Sequence, residues 1–370
     1  MPSLERRAQP STMMMFASPV IAAVCMLITG YLLFTLLGKE PLHAFWVFFI
    51  KPLTSAYGIG EWLLKATPLI LCGLGLAIGF RASVFNIGAE GQLTMGAIAA
   101  GGVALHFQGL ETAPWLIPLM MLAGILGGMA WAVIPAFLRT RFNTNEILVS
   151  LMLVYVAQLF LGFLVQGPWR DPDGLNFPQT VMFTSAETLP LLMEGLRTNL
   201  LFVIAIGLVA LSWFFSHKMF AGFRMQVSGL APAAARYAGF SEKRNVWLAL
   251  LVSGGVAGLA GMGEVAGPIG QLQPIISPGY GFAAIIVAYV GRLHPLGVLL
   301  ASLLMSLLYL GGETAQIDLG LPSAVTGLFQ GLLLFYLLAA DIFITFRFKA
   351  ANHPVVPVQP VTTALPEEQS

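Results

Sequence analysis

Long apolar runs separated by short polar stretches make up most of the chain. A helix needs about 20 mostly apolar residues to cross a bilayer core. Candidate spans fall at 16–37, 62–80, 89–107, 115–138, 147–166, 199–216, 246–266, 281–291, 296–312 and 322–346. The run 281–291 is too short to cross alone. The stretch 42–50 (LHAFWVFFI) is shorter still, and its Trp and Phe suit the headgroup level. The first run is longer than the apolar core of a removable leader and has no clear A-x-A site after it, so it is expected to stay as a span.

Charge orients this pattern. Ten spans with a cytoplasmic start place Arg6, Arg7, Arg81, Arg139, Arg141, Lys218, Arg224, Arg236, Lys243, Arg244, Arg292, Arg347 and Lys349 inside. Lys39, Lys51, Lys65, Arg170 and Arg197 remain outside, a split of 13 to 5 that matches the positive-inside rule. Dropping one span scrambles the pattern after it. The expected organisation is a cytoplasmic N-terminus (1–15), a transmembrane domain (16–346) and a cytoplasmic tail (347–370) that is polar, Pro-rich and expected to be disordered. The outer loop 167–198 is turn-rich and expected to be ordered. The inner loop 217–245 predicts a short amphipathic helix opened by Pro232.

Composition agrees. Of 370 residues, 57% are hydrophobic and 9% charged, and the mean hydropathy is +0.83. So few charges cannot solvate a soluble body of this size. The fold class is an all-α polytopic membrane protein of about ten helices, some of them discontinuous. A net charge of +1 gives no field to gather nucleic acid. Cys25 and Cys72 both lie in apolar runs and suggest neither a disulfide framework nor a metal site. There is no HExxH, GxSxG or Walker A motif, and Asp341 is the only aspartate within a span. The chain is therefore expected to be no enzyme, with no cofactor or metal of its own.

Polar groups at membrane depth are costly, so each is a functional candidate. The densest cluster is Phe85-Asn86-Ile87-Gly88-Ala89-Glu90-Gly91-Gln92. Its glycines allow an unwound segment framing a substrate site; the alternative is a plain cytoplasmic turn near Arg81. Glu264 lies in a glycine-rich run, with Gly254/Gly258 and Gly263/Gly267 as small-xxx-small pairs. It either bonds a neighbouring helix or joins Gln271 and Gln273 on a translocation path. Asn145 is placed to cap the fifth span.

The Phe85–Gln92 segment followed by Met95-Gly96-Ala97 resembles the signature of nucleoside-type ABC-importer permeases, which group with the simple-sugar and branched-chain amino-acid permeases. Gly279-Tyr280-Gly281-Phe282 with Ile285, Val287 and Ala288, then Gly291-Arg292, Pro295 and Gly297, resembles that group's second signature. The loop Gly229–Gly239 is similar to its ATPase-contacting segment, and the likeness runs from about residue 60 to 345. The resemblance implies a related second permease, a cytoplasmic ABC ATPase carrying ATP and Mg, and an extracytoplasmic substrate-binding lipoprotein. It implies a multi-pass protein of the bacterial inner membrane with both termini cytoplasmic. It also implies a coupling helix with Gly229, Ala233, Ala234, Ala235, Arg236, Ala238 and Gly239 against the ATPase. The expected substrate path is Phe85, Asn86, Glu90, Gln92, Glu264, Gln271, Tyr280 and Phe282, the aromatic rings stacking on a base. A secondary transporter or channel, coupled to protons or sodium through Glu90 and Glu264, is the alternative.

Overall fold

The computed structural model describes residues 3–6, 12–110, 112–193 and 195–349. Much of the predicted N-terminal segment and nearly all of the predicted tail lie outside them. The helices are α1 (Thr12–Leu36), α2 (Pro41–Phe45), α3 (Ala56–Arg81), α4 (Ala89–His106), α5 (Leu116–Phe142), α6 (Glu146–Gln166) and α7 (Leu200–Lys218), followed by α8 (Phe220–Leu230), α9 (Pro232–Tyr237), α10 (Glu242–Glu264), α11 (Tyr280–Val290), α12 (Pro295–Leu319) and α13 (Ala324–Thr345). Two short strands, β1 (Ser3–Arg6) and β2 (Phe346–Lys349), pair antiparallel. The protein is an all-α polytopic membrane protein.

Eight described helices are long and apolar enough to cross a bilayer. The other two predicted crossings are α4 and the short α11. At about 1.5 Å per residue the 11-residue α11 covers about 16 Å, half a hydrocarbon core. Residues 270–279 between α10 and α11 are not helical, so α11 is preceded by ten residues of unwound chain. The predicted coupling-loop helix is α9, and α8 precedes it.

Local chemistry sets the boundaries. The side chains of Ser55, Asn145, Asn199, Ser241 and His294 accept first-turn amides of α3, α6, α7, α10 and α12. Pro232 and Pro295 open α9 and α12, where a missing N–H costs nothing. The stretch 42–50 is less interfacial than its composition predicts. Val47 and Phe48 are fully buried, Phe48 against Phe329 with ring centroids 5.1 Å apart, while Trp46 and Ile50 stay exposed.

The centre of the bundle is α3 and α10. Their apolar windows are 89% and 72% buried, against 22% for α1, α5, α7 and α13. Helices α4, α5 and α10 meet backbone to backbone. A Cβ on Gly258 would lie 2.1 Å from the Gly124 carbonyl oxygen, and one on Gly96 would lie 2.3 Å from Gly258 Cα. In a bilayer, where apolar burial gives helices no advantage over lipid, such close packing is what holds them together.

One end of the bundle carries Arg81, Arg139, Arg224, Arg244 and Arg292. Contacts such as Arg81 Nε to the Leu293 carbonyl (2.9 Å) and Arg224 Nε to Asn245 Oδ1 (2.9 Å) gather them there. Three basic side chains of the opposite end are neutralised: Lys51 by Asp318, Lys65 by Glu313 and Arg197 by Glu61. Burial alone would lower the Arg197 guanidinium, but Glu61 and Tyr57 outweigh it and hold it above its usual value.

A Gly258→Val variant is expected to lose the folded, monodisperse species in fluorescence-detected size exclusion. Gly207→Ala, where no atom lies within 4 Å of an added Cβ, is expected to accumulate normally.

Candidate functional site

Residues 82–88 form an unwound segment that is buried or half-buried except at Ser83. The Ala82, Ser83 and Val84 amides donate to carbonyls at the end of α3, and side chains take later ones: Phe85 N donates to Glu146 Oε1 (3.3 Å), Ile87 N to Ser150 Oγ (3.2 Å) and Gly88 N to Asn86 Oδ1 (3.0 Å). This is the arrangement that non-helical backbone at membrane depth requires. Glu146 is itself paired with Arg139.

Asn86 and Gln92 face each other rather than a cavity. Asn86 Nδ2 donates to Gln92 Oε1 (2.7 Å) and Ser253 Oγ (2.9 Å), and Gln92 Nε2 donates back to Asn86 Oδ1 (3.3 Å). Both residues are buried, and the knot ties the start of α4 to the middle of α10.

Glu90 lies in the first turn of α4, where a carboxylate complements the helix dipole. Its Oε2 accepts the Gly281 amide (2.7 Å) at the start of α11, and the Ser277 side chain and Gly279 amide also face it. Ser277 Oγ accepts the Tyr280 amide (2.8 Å), so free donors at the α11 N-terminus are met from two elements. Gly281 is needed for this approach, because a Cβ there would lie 2.3 Å from the Glu90 nitrogen.

A cavity of about 260 Å³ opens beside this junction, with Glu90, Thr94, Gln158 and Ser277 as its polar groups and Leu161, Pro274, Ile275 and Ile276 as its apolar ones. Gln158 sits mid-way along α6 on its exposed face. Of the eight predicted path residues, Glu90 borders this cavity. Phe85 packs on Phe80 (5.4 Å between centroids) and Tyr280 is buried edge-on to Tyr309 (5.3 Å). Phe282 is partly exposed on α11, and Glu264 is buried on α10 within electrostatic reach of Lys65 and Glu90. Gln271 donates to Gln179 Oε1 (3.2 Å) at the outer loop. Thr94, Gln158 and Ser277 carried no signal in sequence, since single hydroxyl and amide residues in apolar runs are common.

The predicted outer loop is ordered and straps the unwound segment. Thr180 N donates to the Leu272 carbonyl (3.0 Å), Phe183 N to that of Gly270 (2.8 Å) and Leu189 N to that of Ala266 (2.7 Å).

At the basic end, α8 presses against the α3 terminus, and α9 packs on α8. A Cβ on Gly229 would lie 2.1 Å from the Arg81 carbonyl oxygen, and Ser83 Oγ donates to the Gly229 carbonyl (3.3 Å). Ala233, Ala234, Arg236, Ala238 and Gly239 are exposed, whereas Ala235 is buried beneath α9. Leu230 and Tyr237, which sequence reading did not single out, project at 78% and 97% exposure.

Residues 58–338 match the family described as branched-chain amino acid transport system / permease component. A glucose ABC transporter permease protein of Haloferax volcanii is 36% identical over 352 residues, 92% of each chain. A guanosine ABC transporter permease protein of Bacillus subtilis is 30% identical over 86% of this chain and 91% of its own. A nucleoside ABC transporter permease protein of Lactococcus lactis is 30% identical over 86% and 89% respectively. Each of these two bacteria has a second matching permease of the same description. No solved structure matches.

Asn86→Ala strips partners from Gln92, Ser253 and the Gly88 amide. Each buried polar group left unpaired costs about 1–3 kcal/mol. The expected outcome is a lowered thermal midpoint in detergent.

Proposed function

We propose that this chain, which belongs to the branched-chain amino acid transport system / permease component family, is one of two permease subunits of an ATP-driven importer of nucleosides. The observation that carries this is the cavity beside Glu90. It is open past Gln158 on the outward face of α6, and polar groups at that depth are too costly to leave against lipid. At about 260 Å³ it is also slightly smaller than the roughly 300–1,000 Å³ of sites that enclose a small ligand. A second permease facing α6 completes the enclosure, and substrate passes between the two chains. The paired relatives in two bacteria support such a partner.

The basic end faces the cytoplasm, following the positive-inside rule, and both termini lie on that side of the inner membrane. There the exposed α9 surface, with Ala234, Arg236 and Tyr237, seats against the partner ATPase, which holds ATP and Mg. The substrate-binding lipoprotein delivers its cargo at the outer-loop end. A ligand that binds two states equally shifts neither, so ATP closure on the ATPase supplies the bias between outward- and inward-facing states. Motion of α9 reaches the cavity through Gly229, the Arg81–Ser83 turn and the Phe85–Glu90 segment.

The guanosine and nucleoside permeases among the relatives support the nucleoside substrate. Glu90, Thr94, Gln158 and Ser277 offer the hydrogen bonds a ribose and base require. A hydroxylated sugar ring uses the same groups, and the glucose permease of Haloferax volcanii supports glucose as a second reading.

In proteoliposomes holding the chain with its partner subunits, guanosine uptake is expected to depend on ATP and to be competed by other nucleosides but not by excess glucose. The converse competition would replace the nucleoside reading with the sugar one. Gln158→Ala is expected to lower uptake roughly two- to tenfold without loss of folded protein, as removal of one neutral hydrogen bond to the substrate does. Ala234→Trp is expected to abolish uptake and co-purification of the ATPase. Ala235→Trp is a poorer test because that residue is buried within the chain itself.

A further inference from the structure

The proposed substrate path leaves unused a second cavity, built on α3. Helices α7 and α10 both pack on α3 and leave a cleft between them. Its volume is about 280 Å³, and its walls are almost wholly apolar: Leu208 and Phe215 from α7, Val252 and Val256 from α10, with Leu74 and Gly75 as floor. It follows one face of α7 from Leu208 to Met219. At about 1.5 Å per residue that is about 16 Å, the depth of one leaflet.

The lower end of the cleft meets concentrated positive charge. Lys218 is exposed beside Met219. Arg224 lies across the bottom, its Nε donating to Asn245 Oδ1 (2.9 Å), and Asn245 sits two turns below Val252 on the same face of α10. Arg244 adjoins it. Burial, and then the like charge of Arg244, push the Arg224 guanidinium below its usual value. Among the described residues no carboxylate forms an ion pair with Lys218, Arg224 or Arg244. A leaflet-deep apolar slot ending in unneutralised cations complements one kind of molecule, an acyl chain carrying a negative headgroup.

We propose that the α3–α7–α10 cleft binds one anionic phospholipid from the leaflet at the basic end, an acyl chain lying against Val252, Val256 and Phe215 and the phosphate at Lys218 and Arg224. The site is separate from the substrate cavity, so it stands whether the cargo is a nucleoside or a sugar. Bound lipid splints α7 to α10 along the cleft, away from the Gly263–Leu201 contact at their other end, and so stabilises the folded chain.

The test uses the full chain, purified in mild detergent and stripped of lipid. Phosphatidylglycerol is expected to raise the thermal midpoint at concentrations where phosphatidylcholine does not, and native mass spectrometry is expected to retain one phosphatidylglycerol per chain. Lys218→Ala, at an exposed position, should weaken this binding about fivefold, the usual effect of one basic residue near an anionic surface. Val256→Phe, which fills the slot, should abolish it; inorganic phosphate alone should give no protection. Equal protection by the two lipids would overturn the proposal, as would full protection by inorganic phosphate or unchanged binding in Lys218→Ala. Cross-linking of Leu211→Cys to the second permease in the assembled importer would also overturn it, because the cleft would then be a subunit contact.

Discussion

The hydrogen bond from the Gly281 amide to the Glu90 carboxylate joins two helices that both begin inside the bundle. Helix N-termini carry unsatisfied donors and a positive end, and neither can be left bare where water is scarce. Here one carboxylate serves both ends at once, and the absence of a side chain on Gly281 lets the two backbones come close enough for it to do so. Everything around the cavity follows from that junction. The chain must unwind before α4 and before α11, the unwound amides must find side-chain acceptors, and those acceptors come from α6 and from Ser277.

The same constraint makes the region a mechanical junction. The Phe85–Glu90 segment is held at one end by the Arg81–Ser83 turn, which α8 presses upon through Gly229. It is held at the other by the Asn86–Gln92–Ser253 knot and by the Glu90 bond. Interfaces packed this tightly move as units rather than bend. In the importer proposed here, a displacement of α8 and α9 passes through this segment to α4, which carries Glu90 and Thr94 of the cavity, and so a subunit bound outside the membrane acts on a site within it.

Most of the architecture was legible in the chain, because the bilayer imposes one length and one polarity on every crossing. Even α4 and α11, which are respectively too polar and too short to pass as lipid-exposed spans, were placed by the alternation of basic loops. The partial unwinding near Asn86 was legible as one of two alternatives, from two glycines among Asn, Glu and Gln. The site was less so. Asn86 and Gln92 looked like ligand groups but satisfy each other, and Tyr280 packs on Tyr309. Composition shows which polar residues are costly in a membrane, not whether the fold spends them on each other. Thr94, Gln158 and Ser277 were invisible for the opposite reason: none is unusual alone, and only three-dimensional packing brings them beside Glu90.

The most direct test of coupling between α9 and the cavity is labelling from the outer side of a single cysteine at Ser277→Cys, with Cys25 and Cys72 replaced, in the assembled importer. The account predicts that the labelling rate changes severalfold between the nucleotide-free and ATP-trapped states, and that Ala234→Trp removes the difference. Equal rates in both states, in a complex that still hydrolyses ATP and transports substrate, would contradict it.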